Sequence, residues 1–273
     1  MHLLIALVCF IPVAAKPYRL QCEHLTDPLG IDIVHPRLSW ELRNDGRNIK
    51  QQAYMLVVST DPQGHHLQWR LSNNSNAQII TYSGKALQPY THYYWSVTVK
   101  DQNGLSATST TADFETGPLS STDWQGDWIT DKKDINLKPA PYVRKGFTIQ
   151  KPIISARAYI AVAGLYELYI NSEKIGDHVL DPAYTRFDRR NLYVTYDVTK
   201  QLQHGQNAIG VLLGNGWYNM QSPAVWFFDK APWRGRPCFC MDLRITYNDG
   251  TTETISTDKS WQTSMSNITF NSI

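Results

Sequence analysis

Helical periodicity is what this sequence lacks most clearly. No stretch of about twelve residues carries an apolar stripe at 3.6-residue spacing, which argues against helical bundles and helix–strand alternation. Cysteine is scarce, at 4 in 273 residues. Cys9 lies in an N-terminal apolar run, leaving Cys22, Cys238 and Cys240. An odd remainder in an exported chain speaks against a disulfide framework. Cys238 and Cys240, two apart, would share one face of a strand and cannot easily bridge. They read as small core residues, and no Cys/His spacing supports a zinc site. Excess charge of either sign is absent: 26 Lys+Arg face 24 Asp+Glu, a formal +2. Neither a nucleic-acid field nor an acidic tail is expected. There is no phosphate-loop frame and no G-x-S-x-G elbow. The sole long hydrophobic run, "LLIALVCFIPVAA" at 3–15, is too short to span a bilayer. It ends in Val13-Ala14-Ala15 and reads as a signal peptide over residues 1–15, despite an n-region with only His2. Cys9 follows Val8, so no lipoprotein anchor is read. An exported chain, periplasmic or extracellular, with no membrane span is expected.

Aromatics are plentiful instead, with 9 Trp and 15 Tyr. They suit β cores, interfaces and sugar stacking. Strand patterns recur at 37–42, 53–59, 93–101, 156–164, 166–176, 191–198, 207–214 and 238–250. Asn44-Asp45-Gly46, Asp101-Gln102-Asn103-Gly104, Gly205-Gln206-Asn207 and Asn248-Asp249-Gly250 punctuate them as turns. The expected fold class is all-β, with two sandwiches separated near the Gly-, Pro- and Ser-rich "TGPLSSTDW" at 116–124. Residues 16–118 have the size of an immunoglobulin-like domain. Within them Leu87, Pro89, Thr91 and Tyr93 follow the L-x-P-x-T-x-Y spacing of a fibronectin type III tyrosine corner. There the tyrosine hydroxyl bonds back to the chain just upstream. Trp40 is the expected core tryptophan. Residues 119–273, with paired strands and longer connections, suit a jelly roll.

Residues 164–219 run "GLYELYINSEKIGDHVLDPAYTRFDRRNLYVTYDVTKQLQHGQNAIGVLLGNGWYN". Gly164, Tyr166, Glu167, Asn171, Gly176, Pro182, Thr185, Arg190, Tyr193 and Asp197-Val198-Thr199 stand in a characteristic order. Asn207, Gly210, Gly214, Gly216, Trp217 and Tyr218 complete it. This block resembles the N-terminal β-sandwich module of bacterial α-L-rhamnosidases. One departure is Ser172, where a glycine usually follows the asparagine. The preceding fibronectin-like unit and "WQGDWI" at 124–129 fit the same domain order. The resemblance implies enzymes that release terminal L-rhamnose from plant glycans by inversion, with no metal in the chemical step. It also implies a catalytic (α/α)6 barrel after the β modules, for which no helical half is read here. The expectation is therefore a non-catalytic N-terminal portion of such an enzyme, inactive alone and partnered by the missing catalytic domain. Two alternatives stand beside it: a purely structural interface module, and the leading piece of an intact rhamnosidase.

Catalysis by inversion needs two carboxyls about 6.5–9.5 Å apart. Glu167, Asp181 and Asp188 are better read as structural. Glu167 is expected to bond backbone or an arginine, Asp181 to cap a turn, and Asp188 to pair with a nearby arginine. No catalytic residue is assigned. Rhamnose-containing glycans are the expected ligand. Sugar sites combine an aromatic face with planar polar groups. The candidates are Asn215, Trp217 and Tyr218, with Asp181, Tyr184 and Arg190 from the loop at 180–193. For Asn215 the plain alternative is a turn residue, and for Arg190 a structural pair with Asp197 or a carbonyl. Trp217 is open between a core plug and a sugar platform. No cofactor is required; calcium binding is possible through acid and amide oxygens, as the resemblance implies. His65-His66 reads as an exposed turn. "SPAVWFFDKAPWRG", 222–235, reads as an aromatic excursion that packs on a neighbour or shapes a groove.

Overall fold

A computed structural model describes residues 14–43, 48–223 and 226–271. The first thirteen residues of the expected signal peptide and the turn at 44–46 lie outside them. No α-helix occurs among the described residues, only three single 3-10 turns. The chain forms two compact units, residues 1–119 and 120–273.

In the first unit, Lys16–Cys22 (β1), Arg37–Arg43 (β2) and Ile79–Thr81 (β5) form one sheet, in the order β1-β2-β5. Leu67–Asn73 (β4), Gln51–Ser59 (β3), His92–Asp101 (β6) and Ser106–Thr108 (β7) form the other, with Ala112–Glu115 (β8) also on β6. Strand alternation decides which residues face inward. In β6 it buries Tyr93, Trp95, Val97 and Val99 while Tyr94, Ser96 and Thr98 stay partly exposed. Leu38, Trp40, Leu56 and Phe114 join that core. Trp40 is buried as expected, and its indole N–H donates to Gln51 Oε1 at 3.0 Å. Gln51 donates in turn to the carbonyls of Ser75 and Ala77. The tyrosine corner is formed: the Gln88 N–H donates to Tyr93 Oη at 2.8 Å. Asp61 gathers the backbone N–H groups of Gln63, His65 and His66, leaving both histidine side chains exposed.

In the second unit the chain passes back and forth between two antiparallel sheets, as a jelly roll does. One has the order Tyr193–Asp197 (β13), Ile153–Ala163 (β10), Cys238–Tyr247 (β15), Thr252–Ser256 (β16). The other has Glu173–Lys174 (β12), Leu165–Ile170 (β11), Gly205–Gly214 (β14), Pro141–Ile149 (β9), Gln262–Met265 (β17). Between them lie Ala158, Ile160 and Val162 of β10, and Met241, Leu243 and Ile245 of β15. Leu168, Ile170, Ile209, Val211 and Leu213 meet them from the facing sheet. Burying each large aliphatic contributes about 1.5–3 kcal/mol before entropy is counted.

The stretch at 166–176 is not one strand but a hairpin, with Ile170 paired to Glu173. Asn171 and Ser172 form its two-residue turn, at φ 51° and 72°. Positive φ at both positions is the type I′ geometry that matches strand twist. The asparagine side chain then works as a bracket. Asn171 Nδ2 donates to the Gln201 carbonyl at 2.8 Å and to Asn207 Oδ1 at 2.9 Å. Asn171 Oδ1 accepts from the Ala208 N–H at 2.9 Å.

Cys238 and Cys240 do share the outer face of β15, opposite the core-facing Phe239 and Met241. All three described cysteines are free. Cys240 donates to the Gly126 carbonyl at 3.1 Å. Burial pushes its thiol up to about 12 and that of Cys22 up to about 12, so neither is a thiolate at neutral pH.

One ion pair is fully enclosed. Arg236 binds Asp131 bidentately, Nε to Oδ1 at 3.1 Å and Nη2 to Oδ2 at 2.6 Å. The two side chains are 4% and 0% exposed. Burial alone would raise the Asp131 carboxyl. The Arg236 guanidinium and the Lys133 N–H outweigh it and hold the group below the usual carboxylate range.

Two outcomes are expected. Ser172→Gly removes a left-handed strain that glycine does not feel, stabilising the second unit by about 1 kcal/mol. A melting curve should shift upward by about 2–4 °C, and no change or a decrease would reject the strained-turn account. Arg236→Met leaves a buried carboxylate unpaired and should cost about 3–5 kcal/mol in urea unfolding. The pair's contribution is complete above about pH 4, where an unfolded aspartate ionises. It is lost as pH falls through the lower folded value. Asp131→Asn should therefore be less stable at pH 7 and lose less further stability on acidification.

Candidate functional site

Two long connections of the second unit meet at one end of the sandwich. The first, 177–192, joins β12 to β13; the second, 215–237, joins β14 to β15. The first is pinned at its start by the Tyr166 N–H, which donates to the Asp181 carbonyl at 3.0 Å. A cis Asp181–Pro182 peptide follows. At its far end Thr185 Oγ1 donates to the Arg190 carbonyl at 2.5 Å. The second begins at Gly216, φ 48°, where a β-carbon would meet Leu165 Cγ at 2.9 Å. Only a residue without a side chain lets the chain turn there.

Beneath the second connection lies a polar bracket. Asn219 is fully buried. It donates to the Ile135 carbonyl at 2.9 Å and to Asn215 Oδ1 at 3.0 Å, and accepts from Arg234 Nε at 3.0 Å. Arg234 Nη2 reaches Asn136 Oδ1 at 2.7 Å. Arg236 donates to the Leu137 carbonyl at 2.9 Å. The excursion is thereby tied to the segment 131–139.

Above the bracket the rings interlock. Trp217 sits 5.8 Å from Phe228 and 6.1 Å from Trp226, both edge to face. Tyr184, from the other connection, stacks on Phe228 at 5.4 Å and meets Trp217 at 6.5 Å. Phe187 bridges Tyr184 and Tyr218, at 5.7 and 5.2 Å. Trp217 and Tyr218 are half-buried. Trp226 is 67% exposed and Phe227 is 63% exposed.

Three of the six candidate residues, Tyr184, Trp217 and Tyr218, are thus brought into one cluster. Asn215 is placed below it, fully buried, with its amide N–H₂ on the Asn271 carbonyl. It holds the turn and presents nothing to solvent. Asp181 points elsewhere, toward His178 Nδ1 at 3.3 Å and the Tyr166–Tyr196 hydroxyl pair. Arg190 is exposed on the first connection. Asp197 pairs with Arg157 at 3.0 Å, so the structural pairing of Arg190 with Asp197 does not form.

The motif acids are committed. Glu167 accepts from Lys174 Nζ at 2.7 Å and Tyr169 Oη at 2.6 Å, a lysine and a tyrosine in place of the expected arginine or backbone. Lys174 above all holds its carboxyl below the usual range. Asp188 pairs with Arg186 at 2.8 Å, as expected. Glu167, held low, is not set up to deliver a proton at neutral pH. The residues that the sequence underweighted are Trp226 and Phe228. Their signal was the aromatic density of 222–235, legible as an excursion but not as a partner for Tyr184.

Comparison with known proteins places this arrangement. Residues 17–120 match the family model described as Rha78A-like, N-terminal immunoglobulin domain. Residues 151–273 match the model of the alpha-L-rhamnosidase N-terminal domain. An alpha-L-rhamnosidase of Formosa agariphila is 32% identical, over 91% of this chain and 29% of its own length. One from Alteromonas sp. is 29% identical, over 92% of this chain and 29% of its own. The solved alpha-L-rhamnosidase from Dictyoglumus thermophilum superposes with a TM-score of 0.84 at 38% identity, covering 94% of this chain and 30% of that one. That of Streptomyces avermitilis, complexed with L-rhamnose, gives 0.84 at 19% identity and shares the fold, covering 92% of this chain and 41% of that one. The chain spans about three-tenths of the length of the curated relatives it matches over most of its own length. By both of its domains, the chain belongs to the N-terminal region of the α-L-rhamnosidases.

Proposed function

We propose that the chain serves as the non-catalytic N-terminal portion of an exported α-L-rhamnosidase. In this reading the aromatic surface on 177–192 and 215–237 docks the remainder of that enzyme. One observation carries it: Tyr184, Trp226 and Phe227 stand exposed over a hydrogen-bonded polar bracket, while the motif acids Glu167 and Asp188 are paired. Val179 and Leu180, 77% and 79% exposed, extend the apolar character of the first connection. A surface dominated by rings and aliphatics suits a protein partner better than a sugar, whose hydroxyls need polar contacts. Export through the leader at 1–15 belongs to the proposal, supported by its apolar run and small-residue end.

A second reading, capture of rhamnose-containing glycans, rests on the open Trp226 indole and on Arg190 as a hydroxyl partner. Calcium would assist through acid and amide oxygens.

Purified chain given an aryl α-L-rhamnoside should show no turnover above buffer; clear hydrolysis would overturn the non-catalytic assignment. Titration with L-rhamnose, with and without calcium, should give no saturable heat if the surface docks protein. Saturable heat lost in Trp226→Ala would instead establish the glycan reading. Under the docking reading, Trp226→Ser with Phe227→Ser should lower binding of an apolar dye with no more than about 0.5 kcal/mol change in stability.

A further inference from the structure

A second surface of the same unit has the makings of a site. The segment 125–130 is sewn onto the outer edge of the β10–β15–β16 sheet. The Gln125 N–H donates to Asp242 Oδ2 at 2.9 Å. Thr257 Oγ1 donates to the Asp127 carbonyl at 2.6 Å. Ile129 and Phe239 exchange backbone hydrogen bonds at 2.9 and 3.1 Å. Thr130 Oγ1 donates to the Pro237 carbonyl at 3.0 Å. Between this fixed wall and the 258–260 turn runs a groove of about 560 Å³. That volume suits a small ligand.

Its floor is apolar and rigid. Trp261 is 8% exposed, donates to the Ser256 carbonyl at 2.9 Å and meets Phe239 edge to face at 5.6 Å. On the wall stands Trp128, 48% exposed, whose indole N–H has no hydrogen-bond partner among the described residues. Lys132 and Lys259 line the groove, and neither has an ion-pair partner among the described residues. The nearby acids are mostly committed. Asp131 is bound to Arg236, and Asp258 accepts from the Ser260 N–H with Lys145 at 3.9 Å. Asp127 and the exposed Asp258 line the groove along with the two lysines, and the lysine nearest Asp258, Lys145, lies outside the lining. Lys132 is also held at φ 53°, a backbone conformation non-glycine residues seldom adopt.

We propose that this groove binds an acidic pyranoside, a sugar unit bearing a carboxylate. The Trp128 ring covers the sugar's C–H face, its N–H takes a hydroxyl, and Lys132 and Lys259 take the carboxylate. The inference stands apart from the docking surface above, which contains none of these residues.

Calorimetry at low salt with a galacturonate trisaccharide and its neutral methyl ester tests the idea, because the ester keeps shape and loses charge. The acid form should bind about tenfold tighter than the ester. Trp128→Ala should weaken the acid form by about tenfold. Lys132→Met with Lys259→Met should reduce it to the level of the ester. The side chains of Trp128, Lys132 and Lys259 are exposed, so unchanged melting curves will certify folding. The proposal is overturned if the acid form gives no saturable heat, if acid and ester bind alike, or if Trp128→Ala binds like the parent.

Discussion

The Arg236–Asp131 pair is the contact on which the candidate surface depends. The segment 131–139 is mostly polar, and besides Asp131 only Ile135, Leu137 and Pro139 are partly buried. Hydrophobic burial therefore gives it little guidance on where to lie. The bidentate pair does, because two enclosed charges have one arrangement in which each satisfies the other. Arg236 also donates to the Leu137 carbonyl, and Arg234 and Asn219 reach Asn136 and the Ile135 carbonyl. Ordering those carbonyls gives the 215–237 excursion a fixed floor. The rings of Trp217 and Phe228 then pack on a scaffold held by these hydrogen bonds.

This changes what the family motif means. Most of its residues are not ligands but geometry. Asn171 and Asn207 close the strand ends of β11 and β14. Gly164, at φ 122°, passes 2.5 Å from the Gly214 carbonyl at the position where a β-carbon would stand. Thr199 caps both the Ala156 N–H and Asp197, which in turn binds Arg157. A block whose residues repeat for such reasons identifies a fold with high specificity and says little about chemistry. Function has to be argued from what the fold leaves exposed.

Much of the architecture was legible because it is written locally. The tyrosine corner needs only the spacing from Leu87 to Tyr93, and strand alternation is visible in β3, β6 and β14. Other elements were not. β17 is exposed throughout and β4 alternates only weakly, so neither carries a hydrophobic pattern. β9 sets Arg144, Lys145 and Gly146 between Val143 and Phe147, and its strand identity comes from pairing with β14. The hairpin at 171–172 looked continuous because Ser172 stands where glycine would have announced a turn. At the candidate surface the limit was similar. Trp217 and Tyr184 were visible as aromatics, but their meeting depends on two loops far apart in sequence. Asn215 looked like a loop donor, and its burial depends on Asn271, more than fifty residues away.

The outcome for Trp217 shows how the two readings of an aromatic can both miss. It is not part of the core between the sheets, which Phe239 and Trp261 join with the aliphatics of β10, β11, β14 and β15. Nor does it stand alone as a platform, because Tyr184, Trp226 and Phe228 surround it. It is the inner ring of a cluster whose outer ring, Trp226, meets solvent. An arrangement of this kind moves the exposed face to a residue of the aromatic excursion while fixing it from beneath. A large apolar face held over bonded polar groups loses little side-chain entropy when something covers it. Under the docking proposal, that pre-organisation, more than the identity of any one ring, is what the second unit would contribute to a partner.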